Sequence, residues 1–315
     1  MDTYRNIVVG IDLAGSDHLA DGASLSPASR AARDAAVEIA GRARGRIHLL
    51  AALDVDAFAE EIVVKPGAGD TLSIRDAAAR FLELAGAPAR AAGIEVTTEV
   101  VMGRPVETIL ADVQRNRRDL VIVGTRERST LARNLLGSTS LALLRRAPCP
   151  VWVARRGTHH AARVVLAAVG IGDLAADVLR AAAGIATATG GALHVLHVVD
   201  LPAAAVLRAG AADRETVEWY RRQRRERAET EVPRLVATAL GEGAQVSMHL
   251  VDGETADAIL DHARRLEADV VVLGSVVQSG MRALLLGSTA EKVLPALETP
   301  LLLVKPTSTA LPAHR

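Results

Sequence analysis

The sequence predicts an α/β fold: two doubly wound, Rossmann-like parallel-sheet domains in tandem. Length, composition and an internal repeat carry that expectation. At 315 residues the chain exceeds what one core commonly spans, about 250 to 300 residues, so two domains are the starting point. Half of the residues are hydrophobic but only 2% are aromatic, so the cores must be Ala, Val, Leu and Ile, the mixture of helices packed on parallel strands. The chain is also written twice. "VTTEVVMGRPVETILADVQRNRRDLVIVGT" (96–125) aligns without a gap on "VSMHLVDGETADAILDHARRLEADVVVLGS" (246–275), pairing Gly103 with Gly253, Asp119 with Asp269 and Gly124 with Gly274 at a shift of 150. The same shift carries Gly137-Ser138-Thr139 onto Gly287-Ser288-Thr289 and Pro150 onto Pro300.

Each half then reads as alternating strands and helices. A strand (7–11; 163–168) leads to an Ala-rich helix (28–43; 174–190) and a second strand (46–53; 192–199), which match each other at shifts of 157 and 146. A variable connection holds a helix (about 70–92; 213–240), followed by a third strand (94–101; 244–251) and a helix opened by a Gly turn (105–116; 255–266). A fourth strand (119–124; 269–274), a loop, a helix (138–146; 288–297) and a last strand, "PVWVA" or "PLLLV", complete the half. The domains are expected at 1–157 and 158–315, with the boundary near "RRGTHHAA". The apolar last strands are edges that demand cover, which pairing with each other or with another subunit would supply.

Composition narrows the function classes. Lys plus Arg and Asp plus Glu both number 37, so no overall field draws the chain to nucleic acid or anionic lipid. The N-terminus lacks the basic-then-apolar order of a signal peptide, and no apolar run approaches the roughly 18 residues that span a bilayer, so a soluble, cytoplasmic protein is expected. The single cysteine, Cys149, fits a reducing compartment and excludes a Cys-based zinc cage.

The loop "VGTRERSTLARNLLGSTSLALL" (123–144) is the main candidate for chemistry. In doubly wound sheets ligands bind beyond the carboxyl ends of the strands, where strand order reverses. Gly124 and Gly274 end the fourth strands. The Gly-Ser-Thr triplets open helices whose N-termini offer unpaired N–H groups and partial positive charge. Gly137 allows close backbone approach, Ser138 or Thr139 adds a hydroxyl, and Arg126 and Arg128 add charge. Gly287, Ser288 and Thr289 repeat the arrangement. An ordinary turn glycine and an ordinary N-cap explain the same residues, and duplication of one structural loop would repeat them.

These endings, "DLVIVGT…GSTSLALLRRAPCPVWVARR" and "DVVVLGS…GSTAEKVLPALETPLLLVKP", resemble those of universal stress protein domains, over nearly the whole chain. The "LVKP" close makes the E-type tandem members the best match. The resemblance implies an adenine nucleotide alpha hydrolase-like fold and, in nucleotide-binding members, Gly-x-x-Gly, nine residues, then Gly-Ser/Thr, with an Asp ending the first strand. The first half matches with Asp12, Gly124, Gly137, Ser138 and Thr139, but has Glu127 at the second glycine; the second half has Val277 there and Val169 in place of the Asp. A carboxylate facing phosphates costs on the order of a kcal/mol, offset in part by Arg126 and Arg128. The expectation is weak ATP or AMP-like binding in the first half, with no ordinary ATP site and a more apolar ligand in the second. The resemblance further implies a stress-response ligand sensor or adaptor, an internal pseudo-dimer of the two domains, a further homodimer and a protein partner of unknown identity.

Other residues carry less. His194 and His197 sit three apart on a strand and so face opposite ways, and His48, which matches His194, reads as a packing or strand-end polar residue. His159-His160 reads as exposed linker. Five arginines between 221 and 227 follow Trp219 and Tyr220, but nearby glutamates make a salt-bridged, solvated helix face the better reading than base stacking. Pro233 is expected to kink or restart that helix. Cys149 reads as packing. Gly-x-Ser-x-Gly, His-Glu-x-x-His and a Walker lysine are all absent, so neither catalysis nor a metal is expected. A slow ATPase or phosphotransferase, and a structural interaction protein with vestigial loops, are the competing classes.

Overall fold

The computed structural model describes residues 4–13, 25–55, 63–64, 72–125, 136–155, 162–201, 213–275 and 286–306. In the first half, β1 (Asn6–Ile11), β2 (Arg46–Leu53), β5 (Glu95–Met102), β6 (Leu120–Gly124) and β7 (Val151–Ala154) alternate with α1 (Pro27–Ala43), α2 (Ile74–Ala91), α3 (Pro105–Asn116) and α4 (Ser138–Arg146). The second half repeats this with β8 (Val164–Ala168), β9 (Ala192–Val199), β10 (Val246–Asp252), β11 (Val270–Gly274) and β12 (Leu301–Val304) between α5 (Ala175–Thr189), α6 (Arg214–Leu240), α7 (Thr255–Arg265) and α8 (Ser288–Ala296). A two-stranded ribbon, β3 (Val63–Val64) with β4 (Leu72–Ser73), lies in the variable connection of the first half and is an addition to the expected elements.

All ten long strands form one sheet in the order β10-β9-β8-β11-β12-β7-β6-β1-β2-β5. Within each half every neighbouring pair is parallel, and strand order reverses between β1 and β6 and between β8 and β11. The halves meet through β7 and β12, which pair antiparallel with Leu301 opposite Val153, Leu302 opposite Trp152 and Leu303 opposite Val151. The two apolar last strands therefore cover each other. Because this pair is antiparallel, the carboxyl edges of the two halves lie on opposite sides of the sheet.

Matched residues of the repeat explain the local folding. The Asp119 carboxylate accepts the backbone N–H groups of Arg5, at 2.7 Å, and Asn6, at 3.0 Å, fixing the start of β1. Asp269 does the same for Arg163 and Val164 at 2.8 Å each. Gly103 and Gly253 take φ of +143° and +151°, values that side chains avoid, and so permit the turns into α3 and α7. Alanines 31, 32, 36 and 40 let α1 lie close on the sheet.

One face of the sheet is covered by α1, α2, α5 and α6, with Phe81 and Leu179 buried there, and the other by α3, α4, α7 and α8, with Leu143 and Val293 buried there. Cys149 is buried in the second layer, and burial pushes its thiol up to about 12, which fits its packing role. Pro233 lies inside α6 without restarting it: the helix runs as one from Arg214 to Leu240. Losing one N–H donor removes a single bond from the ladder, and the neighbouring turns hold the helix.

Two crossed cations fasten the join. Arg155, just past β7, donates to the carbonyl of Leu294 in α8 at 2.9 Å, and Lys305, the matching residue past β12, donates to the carbonyl of Leu144 in α4. Both are buried, and both meet the negative end of a helix. Burial pushes the Lys305 ammonium down to about 8 from its ordinary value of 10.5. Between those two values the unfolded chain holds a proton that the folded chain has lost, so stability rises with pH across that window; below it both states are charged and the slope vanishes. Urea unfolding from pH 8 to pH 10 should show a stability gain in the natural chain that is missing from Lys305→Met; parallel curves would contradict the assignment.

Candidate functional site

At each switch point the chain leaves the two neighbouring strands towards opposite faces, opening a crevice at their carboxyl ends. In the first half Asp12 directly follows β1, Gly124 ends β6, and Gly137 caps α4, so Ser138 and Thr139 stand in its first turn. Ser138 is exposed and Thr139 half-buried. The Asp12 backbone is held in place by α1: its N–H donates to Ser29 Oγ at 3.0 Å, and the buried Ser29 hydroxyl reaches back to the Asp12 carbonyl at 3.4 Å. Arg126, Arg128, Glu127 and Val277 lie outside the described residues.

Gly124 has a packing reason of its own. A Cβ there would stand 2.2 Å from the Ala28 carbonyl oxygen, because the first turn of α1 presses its backbone on the end of β6. Its carbonyl accepts the Ser140 hydroxyl at 3.0 Å. In the second half a Cβ on Gly274 would meet the Leu174 side chain at 2.8 Å instead. The two glycines thus occupy matched positions but answer to a rigid backbone in one half and a flexible side chain in the other.

The second half brings its expected residues together around a cavity of about 910 Å³ at the carboxyl edge, lined by Gly274, Gly287 and Thr289, with Ser288 on an adjoining cavity of about 700 Å³. Its floor is apolar: Val169, Leu174, Val178, Ile259 and Leu273. Its rim carries Arg224 and Arg227 from α6, offset by Asp173 and Asp200. Arg224 pairs with Asp200 at 3.1 Å and Arg225 with Asp252 at 2.7 Å, so α6 is tied to the ends of β9 and β10. Arg225 also pairs with Glu229 one turn on, at 3.0 Å. The reading of α6 as a solvated, salt-bridged face therefore holds only in part, because its arginines also form one wall of this site.

His197 is the residue that sequence reasoning passed over. It is buried, and its Nδ1 stands 2.8 Å from the Val169 carbonyl, which only accepts, so Nδ1 is the donor of that hydrogen bond. The first half has Ala51 at the matching position. The available signal was position: "HVLHVVD" ends a strand beside the switch point, so its last residues, His197 and Asp200, border the crevice.

This geometry, a strand-order switch point with a helix N-terminus beside it in each half, defines a tandem doubly wound α/β protein. The chain belongs to the universal stress protein family, whose model matches it twice, over residues 3–155 and 162–305. It is 24% identical over 316 residues to universal stress protein E of Photorhabdus laumondii, covering 97% of this chain and 96% of that one. Over 62 residues it is 36% identical to stress response protein NhaX of Bacillus subtilis, of which it covers 37%. The crystal structure of the functionally unknown protein PA1789 from Pseudomonas aeruginosa superposes with a TM-score of 0.68 at 25% identity, covering 97% of this chain and 94% of that one. Among the described residues, no helix is long and apolar enough to cross a membrane.

The two glycines should respond differently to a methyl group. Gly124→Ala is expected to cost about 2 kcal/mol or more, because a backbone must move, and Gly274→Ala about 1 kcal/mol or less, because Leu174 can change rotamer. Urea midpoints of the two variants, taken without ligand, check the order.

Proposed function

We propose that this universal stress protein is a two-site ligand sensor or adaptor, taking an adenine-nucleotide-like ligand in the first half and a more apolar ligand in the second. The observation that carries the reading is the second-half cavity. Where the first half offers the Asp12 carboxylate, the second offers Val169 above an apolar floor, and its rim cations are balanced by carboxylates. Such a site favours an apolar body with a small polar group over a triphosphate, whose charge would have to displace existing ion pairs. The first half keeps Asp12 and the N-terminus of α4, a frame suited to ribose and one phosphate.

The reading treats the protein as a sensor rather than an enzyme. The alternative, slow ATP hydrolysis, predicts turnover that disappears in Ser138→Ala. Among the described residues β5 and β10 each pair on one side only, which supports pairing with a second copy or a protein partner, and a homodimer is the expected assembly.

Native mass spectrometry of the purified chain reads retained ligand and subunit number together, and calorimetry with AMP and ATP reads the first half. One nucleotide per chain is expected, with AMP at least as tight as ATP and roughly tenfold or more weaker in Asp12→Ala. Two equivalent nucleotide sites, or binding indifferent to Asp12→Ala, would overturn the division of labour between the halves.

A further inference from the structure

A second kind of site lies away from both crevices. His48 is the third residue of β2, about 16 Å along the strand from its carboxyl end. Its side chain is only 7% exposed and points to the α3 face, where Nε2 makes no hydrogen bond. Around that nitrogen stand Glu99 Oε2 from β5 at 3.4 Å and Asp112 Oδ1 from α3 at 3.7 Å, and the three donor atoms lie within 4.8 Å of one another. The other ring nitrogen, Nδ1, is 2.8 Å from Thr97 Oγ1. Asp112 is also held by Arg118, at 2.8 Å and 3.0 Å, and by Asn116 at 2.6 Å. Arg118 thus answers the Asp112 carboxylate, while the partly exposed Glu99 approaches the imidazole from β5.

The separations are informative. At 3.4 and 3.7 Å they are too long for good hydrogen bonds. Two ligands each about 2.1 Å from one ion, at a tetrahedral angle, lie about 3.4 Å apart. The Thr97 hydroxyl sits where an orienting partner belongs: accepting from Nδ1–H, it turns the Nε2 lone pair towards the carboxylates.

The repeat supplies an independent observation. At the matching place in the second half, His48 becomes His194, Glu99 becomes His249 and Asp112 becomes His262. These three also cluster: His194 Nδ1 is 3.0 Å from His249 Nε2, and the His249 and His262 rings are 5.7 Å apart. Arg118 and Asn116 become Ala268 and Leu266. Each of the three places keeps a residue type that zinc accepts, imidazole nitrogen or carboxylate oxygen.

We propose that His48, Glu99 and Asp112 bind one divalent transition-metal ion of the zinc class, through Nε2 and one oxygen of each carboxylate, with Thr97 as the positioning residue for the imidazole. The burial of His48 and its Thr97 contact fit the expected packing or strand-end polar residue, and the metal role is added to that. The site is independent of the ligand reading above, because it lies on the helix-covered face and not in either crevice.

The test uses the full-length chain carrying H249A, which removes the second-half cluster, stripped with chelator and titrated with Co²⁺ by absorption and with Zn²⁺ by competition. One ion per chain with a d–d spectrum is expected at micromolar concentrations. Affinity should fall at least tenfold in E99Q and T97V, and the spectrum should vanish in H48A. Glu99 is substantially exposed, so E99Q decides the matter even if H48A folds poorly. No ion bound at 100-fold higher metal, on the order of 0.1 mM, or a titration unchanged by both E99Q and H48A, would overturn the assignment.

Discussion

The antiparallel pairing of β7 with β12 is the constraint on which the rest of the molecule depends. Neither half is closed without it, since each last strand is apolar and would otherwise be a bare edge. Three facing residue pairs join two five-stranded sheets into one of ten, and the hydrophobic layers on both faces then run across the join. Arg155 and Lys305 reinforce it reciprocally, each satisfying a carbonyl of the other half's last helix. The same pairing sends the two carboxyl edges in opposite directions, so the two switch points lie on opposite edges of one sheet.

Much of the fold was legible because the chain repeats. A strand pattern seen once is ambiguous, but the same pattern at a shift of 150 in matched order with helices between admits few architectures, and the helix and strand limits fall within a few residues of those read from the pattern. What escaped has several separate causes. The β3–β4 ribbon is only two residues on each side and lies in the variable connection, where no repeat supports it. Pro233 read as a kink or a restart, and the restart does not occur because the ladder on either side holds the helix. The arginines of α6 read as solvated because their glutamate neighbours are visible in the sequence, whereas Asp200 and Asp252, which they also reach, belong to strand ends.

The candidate site was legible in outline only. Periodicity located Gly124 at a strand end, but the pressure of Ala28 on it comes from a helix nearly a hundred residues earlier, so a packing glycine and a ligand glycine look alike in sequence. Strand alternation correctly turned His194 and His197 to opposite faces. It could not say that His194 meets His249 across a strand pair while His197 meets the Val169 carbonyl at the crevice. Identical residues at matched positions, such as Asp119 and Asp269, proved to be structural. The changed ones, from Asp12 to Val169 and from Glu99 to His249, are where the halves differ in side-chain chemistry.

At the centre of the join Trp152 faces Leu302. These are the matched residues of the two halves, so the approximate twofold axis passes between them. In an assembly of two identical chains a residue beside such an axis must face its own copy, and any substitution there arrives twice. Covalent fusion lifts that rule. A bulky indole on one side can be answered by a smaller aliphatic group on the other, and the two halves are free to drift apart in sequence while remaining obligate neighbours at fixed one-to-one stoichiometry.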